Sequence, residues 1–210
     1  MNTYTIKTYL FDELSKEAQK RAFLRDQGII SGDIWNSEFC ATLEVFESIF
    51  EISVYRWEVY SSYYTFDFNR PHPNHHVDEI NDPLRLATYV WNNYAEHIKK
   101  GKFYCTPIKY IDGKPTYKSR HSRVLFEMDN CPLTGVCFDN DILSPIIDCL
   151  EYKRFFNTYE DLITDCLNHF FSTWSEALKY SESAEFYEEE ALANNWEYLE
   201  DGTRWTVKTS

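Results

Sequence analysis

The sequence predicts a single α+β domain over residues 1–210, with about five helices, several β-hairpins and an aromatic-rich core. Three observations lead there. Apolar residues recur at helical spacing in separate stretches, as in Trp35, Phe39, Leu43, Phe46 and Phe50, which lines up one buried stripe along a helix. Between such stretches lie runs of alternating β-branched and aromatic residues, as from Ile52 to Phe68, the period of a half-buried strand. The aromatic share is 18%, and because each ring buries a large area, a substantial core needs no metal or disulfide. A chain of 210 residues buries roughly 70% of its unfolded surface as one domain. Neither a repeat nor a low-complexity linker marks a boundary.

The elements follow in order. Tyr4, Ile6, Thr8 and Leu10 alternate and predict a strand over residues 3–10. Ser15 is a helix N-cap, with Glu17 in the first turn where the dipole favours an acid. Leu14, Ala18 and Ala22 mark the inner face, Glu17–Arg21 is an i,i+4 pair, and Gly28 ends the helix. The second helix starts near Asp33. Tyr55, Trp57 and Val59, then Tyr64, Phe66 and Phe68, flank Ser61-Ser62 as a hairpin. The stretch from Arg70 to His76 contains two prolines and reads as a loop. Asp82-Pro83 opens a third helix, cap followed by first-turn proline. Its expected buried face is Leu84, Ala87, Trp91, Tyr94 and Ile98, and Gly101 stops it. Phe103–Ile111 and Thr116–Met128 flank Asp112-Gly113, the strongest short hairpin signal in the chain. Ser144-Pro145 predicts another helix start, running through Ile146, Ile147 and Leu150. The longest helix begins at the capping box Thr158-Tyr159-Glu160-Asp161 and carries Leu162, Ile163, Cys166, Leu167, Phe170, Phe171, Trp174 and Leu178. Trp91 and Trp174 are both expected in the core. A shorter acidic helix covers Glu182–Asn195, and Trp196–Leu199 with Thr203–Val207 make a last hairpin around Asp201-Gly202.

Charge is distributed unevenly. Twenty-one basic residues stand against 34 acidic ones, a net charge of −13. Between His97 and Arg123 there are eight bases and one acid, Asp112, so the remainder is more acidic than the net figure. From Glu182 to Asp201 there are eight acids and no Lys or Arg. Such acidity disfavours binding to nucleic acid or anionic lipid and favours a basic partner. The six cysteines, Cys40, Cys105, Cys131, Cys137, Cys149 and Cys166, are scattered without a Cys-x-x-Cys pair and read as reduced thiols. No basic region followed by an apolar run opens the sequence. No stretch approaches the ~20 apolar residues of a membrane helix. The expected compartment is a cytosol.

Catalytic motifs are absent from the sequence: no Gly-rich phosphate loop, nucleophile elbow or His-Glu-x-x-His. His72, His75 and His76 with Asp78 could ligate a borderline metal, but the two prolines make an irregular loop of solvent-facing imidazoles the simpler expectation. Glu127, Asp129, Asp139, Asp141 and Asp148 form an acidic series that a metal-dependent nuclease could use for magnesium, with Arg120, His121 and Arg123 close in sequence. The plainer expectation is that Asp139 or Asp141 caps the following helix. Cys137 and Cys166 have nothing positive arranged beside them, even with His169 three residues beyond Cys166. The basic hairpin, with Lys109, Lys114, Lys118 and Arg120 among Phe103, Tyr104, Tyr110 and Tyr117, has the make-up of a single-strand-binding surface. The net charge makes pairing with the chain's own acidic remainder the stronger expectation.

Three motifs in register carry a resemblance. They are Phe11-Asp12-Glu13-Leu14-Ser15 with Glu17-Ala18 and Ala22; Pro132-Leu133-Thr134-Gly135 through Cys137-Phe138-Asp139-Asn140-Asp141-Ile142-Leu143; and Ala193-Asn194-Asn195-Trp196 with Glu200-Asp201-Gly202. The chain resembles a family of small proteins encoded by tailed bacteriophages and prophages, with the basic segment at about 102–124 as its variable part. The resemblance implies a phage or mobile-element origin and expression in a bacterial cytoplasm; it implies no chemistry, cofactor or metal. With the acidic balance, it leads to an expected non-enzymatic role. The protein would bind stoichiometrically to the basic, nucleic-acid-binding surface of a host defence protein or ribonucleoprotein complex, as anti-CRISPR and anti-restriction proteins do. Glu182, Glu185, Glu188, Glu189 and Glu190 are the expected contact residues, and Lys109, Lys114, Lys118 and Arg120 a secondary patch. A metal-dependent nuclease using the Glu127–Asp148 acids, or an accessory phage protein with another partner, are the alternatives.

Overall fold

Local capping chemistry sets where most helices begin, and the computed structural model shows the caps in place. It describes residues 5–27, 35–71, 75–98, 107–111, 114–117, 132–136, 138–153 and 155–206. Among these, seven α-helices and three two-stranded antiparallel sheets make an α+β fold. The order is β1 (Tyr9–Leu10), a 3-10 turn (Phe11–Glu13), α1 (Lys16–Asp26), α2 (Asn36–Phe50), β2 (Ser53–Val59), β3 (Tyr64–Asn69) and α3 (His75–Asp78). Then come α4 (Pro83–Ile98), β4 (Pro107–Ile111), β5 (Lys114–Tyr117), α5 (Phe138–Tyr152), α6 (Tyr159–Ser181), α7 (Ala184–Ala193) and β6 (Glu197–Tyr198). Tyr4, Gly28, Asp33, Gly101, Asp112-Gly113, the stretch 118–131 and Val207 lie outside the described residues. The chain forms two compact units, one of residues 1–34, 60–62 and 175–210, the other of residues 35–59 and 63–174.

The first unit joins the two ends of the chain. The Ser15 hydroxyl accepts from the Ala18 N–H at 3.2 Å and caps α1. That sets Ala18 and Ala22 against Phe11, Leu14, Tyr187, Ala191 and Tyr198 in one buried cluster. Phe11 meets Tyr187 edge-on at 5.5 Å and Tyr198 at 5.7 Å. The expected strand over 3–10 is shorter than its alternation suggested: within the described residues only Tyr9–Leu10 is strand, paired with Tyr198 and Glu197. The reason is that β6 offers only two residues and Phe11–Glu13 then coils, Glu13 Oε2 accepting from the Leu10 N–H at 2.9 Å. The last hairpin is equally short. It consists of the Tyr198–Arg204 bridge and a turn closed by Leu199 N–H to Thr203 O at 2.8 Å.

In the second unit, Phe39, Leu43, Phe46 and Phe50 of α2 are buried as the spacing predicts. They share the unit's core with Ile142, Leu143 and Ile146 of α5 and Leu162, Ile163, Leu167, Phe170 and Phe171 of α6. Trp174 is 2% exposed and stacks on Phe39 at 4.8 Å. The β2–β3 hairpin forms as expected. A bulge between Tyr55 and Glu58, with Arg56 at φ 52°, turns Trp57 onto Phe171 and Trp174. Asp82 caps α4, its carboxylate accepting from the Arg85 N–H at 2.9 Å.

Three expectations change here. The buried face of α4 is Leu86, Ala87, Val90, Tyr94, Ala95 and Ile98, while Leu84 is 58% exposed and Trp91 half-buried. The stripe is rotated by about a residue, with Leu86 and Val90 fully buried in place of Leu84 and Trp91; Tyr94 belongs to both stripes and lies with its hydroxyl 3.1 Å from that of Tyr159. Helix α5 starts at Phe138, before Ser144-Pro145, and encloses a buried Pro145. The expected loop over Arg70–His76 gives way at His75 to the single turn of α3, which ends at Asp78 in an ion pair with Arg70. No helix among the described residues is long and apolar enough to cross a membrane.

Candidate functional site

Helix α7 carries the acidic series, and its orientation is set by packing in the first unit. Ser183 caps it, accepting from the Phe186 N–H at 3.1 Å. Phe186, Tyr187 and Ala191 face inward. That leaves Glu185, Glu188 and Glu189 exposed on the helix, with Glu182 exposed just before it. Positions three and four apart hold their Cβ atoms about 5–6 Å from one another on such a face. Glu190 stands apart from the other four. It is half-buried, and its carbonyl and carboxylate accept from Asn194 Nδ2 at 2.9 and 3.0 Å.

The face is not purely ionic. Tyr180, at the end of α6, donates to Glu189 Oε2 at 2.6 Å, and this bond to a carboxylate pushes its phenol up to about 12. Leu192 is 43% exposed one turn beyond Glu188 and Glu189. No Lys or Arg occurs between Lys179 and Arg204. A tyrosine and a leucine set among carboxylates give the patch apolar area to bury as well as charge to pair.

Behind α7 lies a buried polar group. Tyr187 Oη donates to Asp26 Oδ2 at 2.9 Å and lies 3.1 Å from Tyr198 Oη. Burial, and after it the bonds to Tyr198 and Asp26, raise the Tyr187 phenol well above the tyrosine norm; burial also raises the Tyr198 phenol, against the opposing effect of its bond with Tyr187. Both stay protonated across the physiological range, so this group ties α1, α7 and β6 together and moves no proton.

Of the acidic series considered for magnesium, Asp139 is taken up by its own hydrogen bonds. Asp139 is fully buried, and both carboxylate oxygens are occupied. Oδ1 accepts from the hydroxyls of Thr42 at 3.0 Å and Thr134 at 2.8 Å. Oδ2 accepts from the N–H groups of Leu133 at 2.9 Å, Thr134 at 2.7 Å and Gly135 at 3.1 Å. Five donors meet the roughly four lone-pair sites of a carboxylate, which leaves no position for a metal. The expectation that Asp139 caps the helix after it is also corrected. Its bonds run back to the loop Leu133–Gly135 and across to α2, fixing the loop that delivers the chain into α5. Asp141 and Asp148 are half-buried on α5, and Glu127 and Asp129 lie outside the described residues.

The remaining candidates divide in the same way. Asp78 is paired with Arg70, and His76 is exposed on α3. His72, Cys137, Lys118 and Arg120 lie outside the described residues, and Lys109 and Lys114 are placed on β4 and β5 by backbone alone. Cys166 is fully buried and burial pushes its thiol far up, while His169 points to solvent, so the two form no nucleophile–base pair. Among the described residues no group of three His, Cys, Asp or Glu could hold a metal ion.

No protein-family model matches the chain, and neither a curated protein nor a solved structure does.

One feature carries no signal in the sequence. A groove of about 440 Å³ runs in the second unit between Tyr64–Phe68 of β3 and Thr164 and Asn168 of α6. Alternation in β3 announced its two faces, but an open strand edge leaves no mark on composition.

Proposed function

We propose that the protein is a phage- or mobile-element-encoded inhibitor that acts in the bacterial cytoplasm by stoichiometric binding. The exposed carboxylates of α7 dock on the basic, nucleic-acid-binding surface of a host defence complex of the CRISPR or restriction type. The observation that carries this is the outward row Glu182, Glu185, Glu188 and Glu189, held by a packed inner face and uncompensated by any base nearby in sequence. A fixed row of this kind steers encounter with a basic groove and fixes register on it. Tyr180 and Leu192 supply what the charges cannot, an apolar contact that slows dissociation. The phage resemblance of the three motifs supports the origin. The motifs themselves build the fold: Ala18 and Ala22 sit under Gly202, and Asp139 holds its own loop.

The test is a triple reversal, Glu185→Lys, Glu188→Lys and Glu189→Lys, in titrations against purified CRISPR effector and restriction complexes. Each surface change costs stability within about 0.5 kcal/mol, so the fold persists. Affinity falls mainly through the association rate, and the loss shrinks as salt is raised. Wild type reaches its endpoint at one inhibitor per complex. A variant that inhibits as well as wild type removes α7 as the binding face, and inhibition at sub-stoichiometric dose removes the binding mechanism altogether.

A further inference from the structure

The groove beside β3 has a property that a surface hollow lacks. It is lined by five consecutive residues, Tyr64 through Phe68. Successive side chains of a strand point to opposite faces, so a cavity resting on one face would touch every second residue. A cavity touching all five borders the strand's edge, where backbone N–H and C=O groups point outward. Among the described residues β3 pairs only with β2, on its other side. The far wall is α6, which presents Thr164 and Asn168 one turn apart, while Phe171 stacks on Phe66 at 5.1 Å and fixes the sheet over the helix.

We infer that this groove takes an extended, lysine- or arginine-bearing peptide segment of a partner protein, added as a third strand to β3. Strand addition supplies main-chain hydrogen bonds along the edge, and alternate side chains find the aromatic floor or the polar wall. The charge of the walls selects the occupant. Asp67 lines the groove itself. Asp161 and Asp165 precede Thr164 and Asn168 by three residues on α6 and share that side of the helix. No Lys or Arg occurs in α6 before Lys179. Tyr64 and Phe66 add ring faces that attract a cation. An acidic peptide or a nucleic-acid strand would meet carboxylates on both walls. This surface is independent of α7 and is tested apart from it.

The probe is a fluorescein-labelled peptide of alternating lysine and valine, about seven residues long, a typical strand length, followed by fluorescence anisotropy with the full chain. Two controls accompany it: alternating glutamate and valine, and the lysine peptide N-methylated at every amide so that neither of its edges can donate to a neighbouring strand. The lysine peptide binds, the glutamate peptide does not, and N-methylation weakens binding by about tenfold or more. Asp67→Lys and the groove-filling Asn168→Trp each weaken it similarly, whereas the α7 triple reversal leaves it unchanged. Asp67→Lys lies on an exposed side chain and keeps the test open if Asn168→Trp fails to fold. Equal binding of the N-methylated peptide reduces the interaction to surface charge and overturns the proposal, as does binding that survives Asp67→Lys. A concentration-dependent dimer abolished by Asn168→Trp would assign the groove to a second copy of the chain and overturn it too. Competition by a single-stranded oligothymidine would do the same in favour of nucleic acid.

Discussion

Gly202 and Gly135 both hold left-handed backbone, at φ 87° and 92°, yet a methyl group meets opposite fates at the two. On Gly202 a Cβ would stand 2.3 Å from the Ala18 carbonyl oxygen; on Gly135 it would meet nothing within 4 Å. Gly135→Ala therefore costs only the left-handed strain, about 1–2 kcal/mol. Gly202→Ala adds overlap with α1 backbone, which a flexible side chain cannot relieve, and costs about 3 kcal/mol or more. Denaturant unfolding of both variants measures the difference, and equal costs would show that the Asp201-Gly202 turn yields freely. The motif at the chain's end is thus a packing demand: Ala18 and Ala22 are small so that the turn can lie on them, with Arg21 Nε donating to Asp201 O at 3.0 Å and Arg25 to the Thr203 hydroxyl. Asp139 makes the same point for the middle motif. Asp139→Asn turns an acceptor of five bonds into a group whose NH₂ faces donors, at a cost of about 2–4 kcal/mol in unfolding free energy. A loss below 1 kcal/mol would mean that the loop Leu133–Gly135 is held by something else.

At the level of elements, what was legible was what is encoded locally. Ser15 and Thr158 each cap a helix with a hydroxyl that accepts from an N–H three residues on, so α1 and α6 begin where the sequence says, while Ser183 caps α7 in the same way and starts it at Ala184, two residues after the expected Glu182. The face of α4 was misjudged because two stripes share Ala87, Tyr94 and Ile98. Trp91 outweighs Val90 in size, and only packing in the folded unit, which buries Leu86 and Val90 completely, decides between them. The start of α5 was misplaced because Ser144-Pro145 reads locally as a cap and a first-turn proline, whereas Pro145 lies inside the helix. The candidate site was half legible. Acid content along α7 is a matter of composition, whereas the withdrawal of Glu190 and the bond from Tyr180 depend on packing. The two tryptophans test this picture. Trp174→Ala empties a site 2% exposed between Phe39 and Phe171 and costs about 3–5 kcal/mol. Trp91→Ala removes a half-buried ring and costs about 1–2 kcal/mol. A reversed order in the two unfolding midpoints would restore the stripe through Leu84 and Trp91.

For the whole molecule, the question is what holds a chain of net charge −13 together. Each unit has its own aromatic interior, Phe11, Tyr187 and Tyr198 in the first and Phe39, Phe170, Phe171 and Trp174 in the second. Two boundaries of that division, near Val59–Tyr63 and Trp174–Ser175, fall inside a hairpin and inside α6, where no linker composition could announce them. Cys40, Cys149 and Cys166 are free thiols, and burial pushes the Cys149 thiol up to about 11. Cys105, Cys131 and Cys137 lie outside the described residues, so measurement must decide whether a cross-link contributes. A disulfide closing a long loop is worth about 2–4 kcal/mol, and a structural zinc contributes more. In a chain of this size each kcal/mol moves the melting temperature by about 2–4 °C. Loss of either device would therefore lower it by roughly 5 °C or more. If ring packing alone carries the fold, melting in excess dithiothreitol and melting in excess EDTA both coincide with melting in plain buffer. A drop with dithiothreitol would place a bridge among Cys105, Cys131 and Cys137, and a drop with EDTA would return His72, His75 and His76 to consideration as ligands.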